Sequence, residues 1–521
     1  MFKRPGLNIV DCIYLNSKFR GNHTAFVCGD NRLTWREFSE YANRVANALI
    51  RSGLKKGDKV TLLCLNSNEA VAVLFGTLLA GGVIVPLSLL LTPQMIASLT
   101  RDAGSTVFFA DQILKQTADF ALAELDTIPM ENRVALGFED EKYVSLDTFI
   151  EGSSAEVPDV FVDDDDEACI IYSSGTTGDP KGIIHTHLSR TMFALSMAIG
   201  SGALSSDAIT IATTPLFANT FWGTIMPTML AGATTIMMTM FDPGEFLKII
   251  QEEQGTLTLM VPTMYQAILN HPDIDKYDLS SLEFMASAGA TLPVPLKKKI
   301  IDKFGNILIE VYGLTEGVAT GIPPEFVLEK PTSVGIPIFG GDVRIIDNED
   351  NELPAGEVGE IVGYSHWFMK GYHNNPEATA EMIWKDSRNR TFIRTGDMGR
   401  LDEDGFLYIV DRKKDMILSG GLNVFAIDIE GILIQHEDIK DTAVIAVPHE
   451  KWGETPLALV ILEDGAKSTQ EEITEWANKQ LAKHQRISAV EFRQEDFPRN
   501  MLGKILKRQL REPYWKEHAG R

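Results

Sequence analysis

Short apolar runs recur along the first half of the chain, each bounded by polar or turn residues. Thr34 and Glu37 have the spacing of a capping box, and Tyr41, Val45, Ala48 and Leu49 continue one apolar helical face. Lys59–Leu65 reads as a buried strand, a helix follows from about Glu69, and Val83–Leu87 reads as the next strand. That alternation builds a parallel sheet. The rhythm returns at Ala208–Thr214, Thr234–Met238, Leu257–Val261 and Leu282–Ala286. The longest apolar run, Ala70–Leu91, is as long as a membrane span, but Gly81, Gly82 and Pro86 interrupt it. A helix and a strand in a protein core are expected there.

The character changes after Pro331. Val343–Asp347, Gly359–Gly363 and Phe406–Val410 are short strands separated by Asn, Asp and Gly turns, which suggests a small β-rich lobe. A final α/β piece comprises Thr442–Pro448, Leu457–Leu462, a helix from Thr469 to about Lys483, and Ala489–Phe492. Between them, Asp411-Arg412-Lys413-Lys414-Asp415 places five consecutive charges between apolar strands, the pattern of an exposed link. The fold class is therefore α/β: a large N-terminal domain of parallel-type sheets, a small β-rich lobe, and a small α+β C-terminal domain.

The 521 residues exceed one compact core, and 44% hydrophobic with 23% charged residues is the balance of a folded protein. The net charge of −24 argues against a nucleic-acid or anionic-membrane surface, since both reward Lys/Arg excess. From Arg412 onward, 17 Lys/Arg face 18 Asp/Glu, so residues 1–411 carry −23 of the total. Cys12, Cys28, Cys64 and Cys169 show no metal-ligand spacing and are expected to be reduced thiols. Met1–Pro5 is too short for a signal peptide, so a cytoplasmic protein without a transmembrane span is expected.

The most informative stretch is Ile170–Gly182. A buried strand runs into Ser173-Ser174-Gly175-Thr176-Thr177-Gly178 and ends in Lys181. Glycines let backbone amides approach a phosphate, hydroxyls donate to its oxygens, and the lysine adds positive charge. It is not a Walker A loop, because the lysine follows proline and precedes glycine.

This string closely resembles the phosphate loop of the adenylate-forming superfamily, and further segments match in the family's order. Ser287-Ala288-Gly289-Ala290 and Tyr312-Gly313-Leu314-Thr315-Glu316 are similar to its adenine-side segments, and Thr395-Gly396-Asp397 to its ribose motif. Ile409–Asp415, Ser419-Gly420-Gly421 and Pro498–Ile505 are similar to its hinge, glycine loop and C-terminal lysine segment. The resemblance implies an acyl-CoA synthetase that forms an acyl-adenylate from a carboxylic acid and ATP, then passes the acyl group to coenzyme A. It assigns Lys504 to the carboxylate and bridging oxygens, Thr315 to the α-phosphate, and Glu316 with Thr176 to Mg²⁺. Tyr312 packs on adenine, with Gly289, Ala290 and Gly313 nearby, while Asp397, Arg412 and Ile409 serve the ribose side. Ser419, Gly420 and Gly421 line the pantetheine tunnel, and Trp452 meets the coenzyme's nucleotide or, alternatively, fills a core. Lys414 is the pivot of a domain rotation. The domains implied are 1–411 for adenylation (330–411 the β-rich lobe), 412–415 for the hinge and 416–521 for a mobile lid.

Departures from the family concern the acid. Ala218 stands where many members have a histidine gate, and Trp222 either caps the acyl tunnel or fills the core. The pocket candidates Ala218, Asn219, Thr220, Trp222, Ser287, Gly313 and Val318 include no Arg or Lys, which favours a neutral-tailed aliphatic, branched or cyclic monocarboxylic acid. Transfer to a carrier-protein phosphopantetheine is the first rival reading, and a degenerate nucleotide-binding protein the second. The expected partners are the acid, ATP and CoA, with no nucleic acid; the oligomeric state stays open, a homodimer included.

Overall fold

Thr34 caps helix Trp35–Arg51 as its spacing predicts: its hydroxyl accepts from Glu37 N, and Glu37 returns a bond to the Thr34 backbone. Thr469 and Glu472 repeat the device at helix Gln470–Gln480. The computed structural model describes residues 8–173, 180–202, 204–420, 422–499 and 505–519. They divide into two compact units. One holds residues 1–331, 337–342 and 364–393, the other 332–336, 343–363 and 394–521.

Two sheets build the first unit. In one, Thr234–Met237, Ile209–Ala212, Leu257–Met260, Phe284–Ser287 and Leu308–Leu314 lie side by side in parallel, in that order. The first four were legible as short apolar runs because both faces of a parallel strand are covered, whereas Leu308–Leu314 was not read as a strand. Val318–Ile322 then returns antiparallel as a hairpin. The second sheet is eight-stranded and centres on Val83–Pro86, with Lys59–Leu63 on one side and the hairpin Glu167–Tyr172/Gly182–Thr186 on the other. Helix Asn68–Leu79 is buried along its whole length, and strand Val83–Pro86 follows it. Residues 70–87 are thus a core segment, Leu90 beyond it is exposed, and among the described residues no helix is long and apolar enough to cross a membrane.

The second unit contains Leu407–Arg412 and most of strands Asp342–Ile346, Gly359–Tyr364 and Thr391–Leu401 in one sheet. A second sheet pairs the long strands Ile439–His449 and Gly453–Leu462, with helices Ala426–Leu433 and Gln470–Gln480 on its core. The chain is therefore a mixed α/β protein with a large N-terminal part of mixed sheets and a small C-terminal part of antiparallel strands and helices.

Candidate active site

The phosphate-loop candidate is held at its ends by the second sheet of the first unit. Ser173 N donates to Lys181 O at 3.0 Å, so the hairpin brings both ends of the loop together. Ser174, Gly175, Thr176, Thr177 and Gly178 lie outside the described residues, as do Gly421 and Lys504. Lys181 Nζ lies 4.8 Å from the centroid of the Tyr372 ring, a cation–π contact. The Tyr372 hydroxyl in turn donates to Glu316 Oε1 at 2.9 Å. Burial and the neighbouring carboxylate push the Tyr372 phenol well up, so it stays protonated and keeps donating. A groove of about 580 Å³ runs beside these residues, lined in part by Ser98, Asp102, Lys181, His373 and Asn374.

The adenine-side candidates sit where parallel strands end, the edge at which open α/β sheets bind ligands. Ser287 closes strand Phe284–Ser287, and Gly289 turns the chain with φ +88°, a left-handed conformation that glycine adopts without strain. Tyr312 and Gly313 end the neighbouring strand, and Thr315–Gly317 form the hairpin turn beyond it. That turn is tied down twice: Met369 N donates to Glu316 O at 2.9 Å, and Ser365 Oγ to Gly317 O at 2.5 Å. Glu310, opposite Ser287 in the register, accepts from Leu292 N at 2.9 Å and pairs with Lys297. Both side chains are 3% exposed or less, and Lys297 also donates to Pro331 O at 2.6 Å. Burial raises the Glu310 carboxyl despite that lysine. The pair fixes the far end of the loop that carries Gly289 and Ala290. The sequence reading missed Lys297 because it opens a Lys-Lys-Lys run that looks like a solvated face.

Among the acyl candidates, Ala218 is the N-cap of helix Asn219–Ala231 and offers no side-chain cap. The segment before it is fixed by Asn66. Its Nδ2 donates to Thr214 O (2.9 Å) and Met238 O (3.0 Å), and its Oδ1 accepts from Leu216 N (2.8 Å). Trp222 is 1% exposed and donates Nε1–H to Leu216 O at 3.2 Å; it is a core side chain. Ser287 and Val318 are buried, and Thr220 is half-buried. A side chain at Gly313 would meet Val318 O at 2.8 Å, so the hairpin leaves no room for one.

The structure also places a cation that the candidate set lacked. Arg190, 1% exposed on helix His187–Ser201, donates Nη1–H to Asn219 Oδ1 at 2.7 Å and lies 4.8 Å above the Trp222 ring. The premise of a cation-free neighbourhood does not hold. Arg190 is the one charged residue in its helix, and that isolation was the available signal.

In the second unit, Asp397 and Arg412 face each other across two strands, with Arg412 Nε 3.1 Å from Asp397 Oδ1. Ile409 is half-buried on the same strand as Arg412. Asp411 departs from the exposed link that its charged surroundings suggested. It is 7% exposed because its carboxylate accepts from Ala426 N at 2.6 Å, capping a helix start, and from Arg412 N at 2.7 Å. Lys414 O accepts from Arg511 Nη1 at 3.0 Å. Ser419 pairs with Gly453 in the sheet, and Gly420 N donates to Trp452 O at 2.8 Å. Trp452 is 46% exposed and carries the Lys451 ammonium over its ring, which excludes the core alternative.

The candidate phosphate loop, the candidate adenine-side strand ends and the Asp397–Arg412 pair are the segments whose order resembles an adenylating enzyme. The AMP-binding enzyme family matches residues 16–373, and the AMP-binding enzyme C-terminal domain matches 428–504. The chain belongs to the AMP-binding enzyme family. A feruloyl-CoA synthase of Amycolatopsis is 34% identical over 94% of this chain and 96% of its own. A long-chain-fatty-acid–CoA ligase of Bacillus subtilis is also 34% identical, over 95% and 92%. Among solved structures, ATP-bound MatB from Rhodopseudomonas palustris superposes with a TM-score of 0.86 at 28% identity, covering 98% of this chain and 99% of that one. The anthranilate CoA ligase AuaEII with anthranoyl-AMP gives the same TM-score and identity, covering 98% of each chain. The protein is an AMP-forming acid–thiol ligase of the acyl-CoA synthetase type.

Proposed function

We propose that the chain converts a carboxylic acid, ATP and CoA into acyl-CoA, AMP and diphosphate in two half-reactions at one nucleotide site. In the first, a carboxylate oxygen attacks the α-phosphorus and diphosphate leaves; in the second, the CoA thiol displaces AMP. The observation that carries this is the meeting of Lys181 and Glu316 at Tyr372, since it joins the phosphate-loop lysine to the acidic residue of the adenine segment. Lys181 and the loop hydroxyls bind the β- and γ-phosphates, Thr315 meets the α-phosphate, and Tyr312 packs on adenine. Asp397 accepts the ribose hydroxyls with Arg412 beside it, and Ile409 adds an apolar wall. Ser419, Gly420, Gly421 and Trp452 serve the pantetheine arm and nucleotide of CoA.

Mg²⁺ fits this donor set. One Glu316 oxygen is held by Tyr372, which orients the carboxylate for a hard cation. No group of three or more acidic, His or Cys side chains gathers among the described residues, so substrate phosphates complete the coordination. The ion supplies charge neutralisation at the triphosphate, with Thr176 as the second protein ligand.

The domain division follows the same reading: 1–411 adenylates, 412–415 pivots at Lys414, and 416–521 alternates between presenting Lys504 and presenting the glycine loop. The acid is a neutral-tailed monocarboxylate on this reading: Ala218, Thr220 and Val318 carry no charge, and Arg190 beside Asn219 brings a single positive charge, enough for one carboxylate. CoA is the acceptor, in keeping with the CoA ligases among the relatives. Lys504→Ala tests the scheme: diphosphate exchange into ATP should be lost while thioester formation from supplied acyl-adenylate persists. Survival of both half-reactions would remove Lys504 from its role.

A further inference from the structure

Arg190 is a buried cation with no buried anion beside it among the described residues. Its Nε donates to Cys169 Sγ at 3.2 Å and its Nη1 to Asn219 Oδ1 at 2.7 Å, while Nη2 has no partner among the described residues. The Phe193 and Trp222 rings flank it at 5.7 and 4.8 Å. None of these neighbours carries a compensating charge. Burial raises the Cys169 thiol, so the sulfur stays protonated, and Asn219 is neutral. His185, opposite Cys169 in the hairpin, is held neutral by its burial and by the arginine's charge. A guanidinium cannot shed its proton to escape such a place, and an isolated buried charge is among the costliest features a core can hold.

Its position says which anion completes it. Asn219 is the first residue of the helix whose N-cap is Ala218, where the family's gate histidine is missing. On the Arg190 helix itself, Ser189 donates to Trp367 O at 3.1 Å and Phe193 stacks on Trp367 at 5.0 Å. The Trp367 segment is the one bound to Glu316 and Gly317 through Met369 and Ser365. The guanidinium is thus framed by the head of the acyl helix and by the elements that hold the Thr315–Gly317 turn.

We infer that Arg190 binds the reacting carboxylate of the acid, taking the place of the histidine absent at Ala218. This rests on the proposed adenylation chemistry. The arginine makes and breaks no covalent bond. It holds the carboxylate oxygen that does not attack phosphorus, and that oxygen becomes the carbonyl oxygen of the acyl-adenylate. When the thiol adds to that carbonyl, the same oxygen gains charge again, and the fixed guanidinium stabilises it.

The test compares wild type, Arg190→Met and Arg190→Lys in diphosphate exchange with hexanoate, dodecanoate and cinnamate. Calorimetric binding of each acid against its primary amide runs in parallel. Arg190→Met should raise the KM of every acid that supports exchange by about ten- to hundredfold, by a similar factor for each, with the KM for ATP within about twofold. Wild type should bind the acid more tightly than the amide, and both variants should narrow that gap, the lysine less than the methionine. An unchanged KM for the acids, or equal losses for acid and ATP, would overturn the inference. So would a loss confined to added dicarboxylates, which would assign the arginine to the tail. If Arg190→Met does not fold, Arg190→Lys carries the comparison. If wild type exchanges with no acid, the adenylation reading fails; the acid–amide comparison still decides whether Arg190 recognises a carboxylate.

Discussion

Tyr372 bridges Lys181 and Glu316: its ring underlies the lysine ammonium at 4.8 Å and its hydroxyl donates to Glu316 Oε1 at 2.9 Å. The two contacts can be separated, because phenylalanine keeps the ring and loses the donor. Tyr372→Phe should leave the KM for ATP near wild type and lower the adenylation rate about tenfold, the scale of one hydrogen bond to a charged group. Diphosphate exchange over a Mg²⁺ titration reads this out, and a variant with an unchanged rate would detach Tyr372 from the function of Glu316.

The buried Lys297–Glu310 pair should respond asymmetrically to substitution. Lys297→Met alone leaves a carboxylate buried without its partner and should cost about 3–5 kcal/mol. The double variant Lys297→Met/Glu310→Gln should lose less than the single one, as urea denaturation can show. Since Glu310 holds Leu292 N, both variants should also raise the KM for ATP more than that for the acid.

Acid lability is expected from His187. The ring is buried, its Nδ1 lies 3.0 Å from Asn8 Oδ1, and burial lowers its pKa to about 4. The unfolded chain, with a pKa near 6.5, binds more protons between those values, so stability falls as pH drops from about 6.5 towards 4. The full effect is about 3 kcal/mol. Thermal melts across that range should show the decline, and His187→Gln should flatten it; an equal slope in the variant would place the acid sensitivity elsewhere.

A substitution at Gly420 should separate the two proposed half-reactions. It sits at φ +59°, and a Cβ there would lie 2.8 Å from Trp452 Cε3. Gly420→Ala should therefore disturb the Trp452 surface, lowering thioester formation at least about tenfold while diphosphate exchange stays near wild type. Equal losses in both assays would argue against a separate role in CoA transfer.

Four parallel strands of the larger sheet were readable because each is a short apolar run between turn residues, and the Thr34–Glu37 capping box announced its helix. The candidate adenine and ribose segments were picked out for a different reason, since their spacing and order resemble a family. What stayed hidden depends on contacts between distant parts of the chain. Asn66, which fixes Leu216, looks like any loop asparagine. Asp411 looks exposed among four other charges, yet a helix start of the same unit buries it. Trp222 and Trp452 could not be sorted by sequence into core and surface; the structure assigns one to each.

The sheet arrangement of the first unit has an evolutionary consequence. Adenine-side candidates hang on consecutive strand ends, the phosphate-loop candidate hangs on a separate hairpin, and four acyl candidates, Ala218, Asn219, Thr220 and Trp222, stand at the head of one helix. Substitutions along that helix can accumulate while Arg190 and the nucleotide's holders keep their sequence. A lineage built this way can drift from one acid to another without passing through an ancestor unable to use ATP. The range of acids named among its relatives, from feruloyl to long-chain fatty acyl, is what such separable inheritance produces.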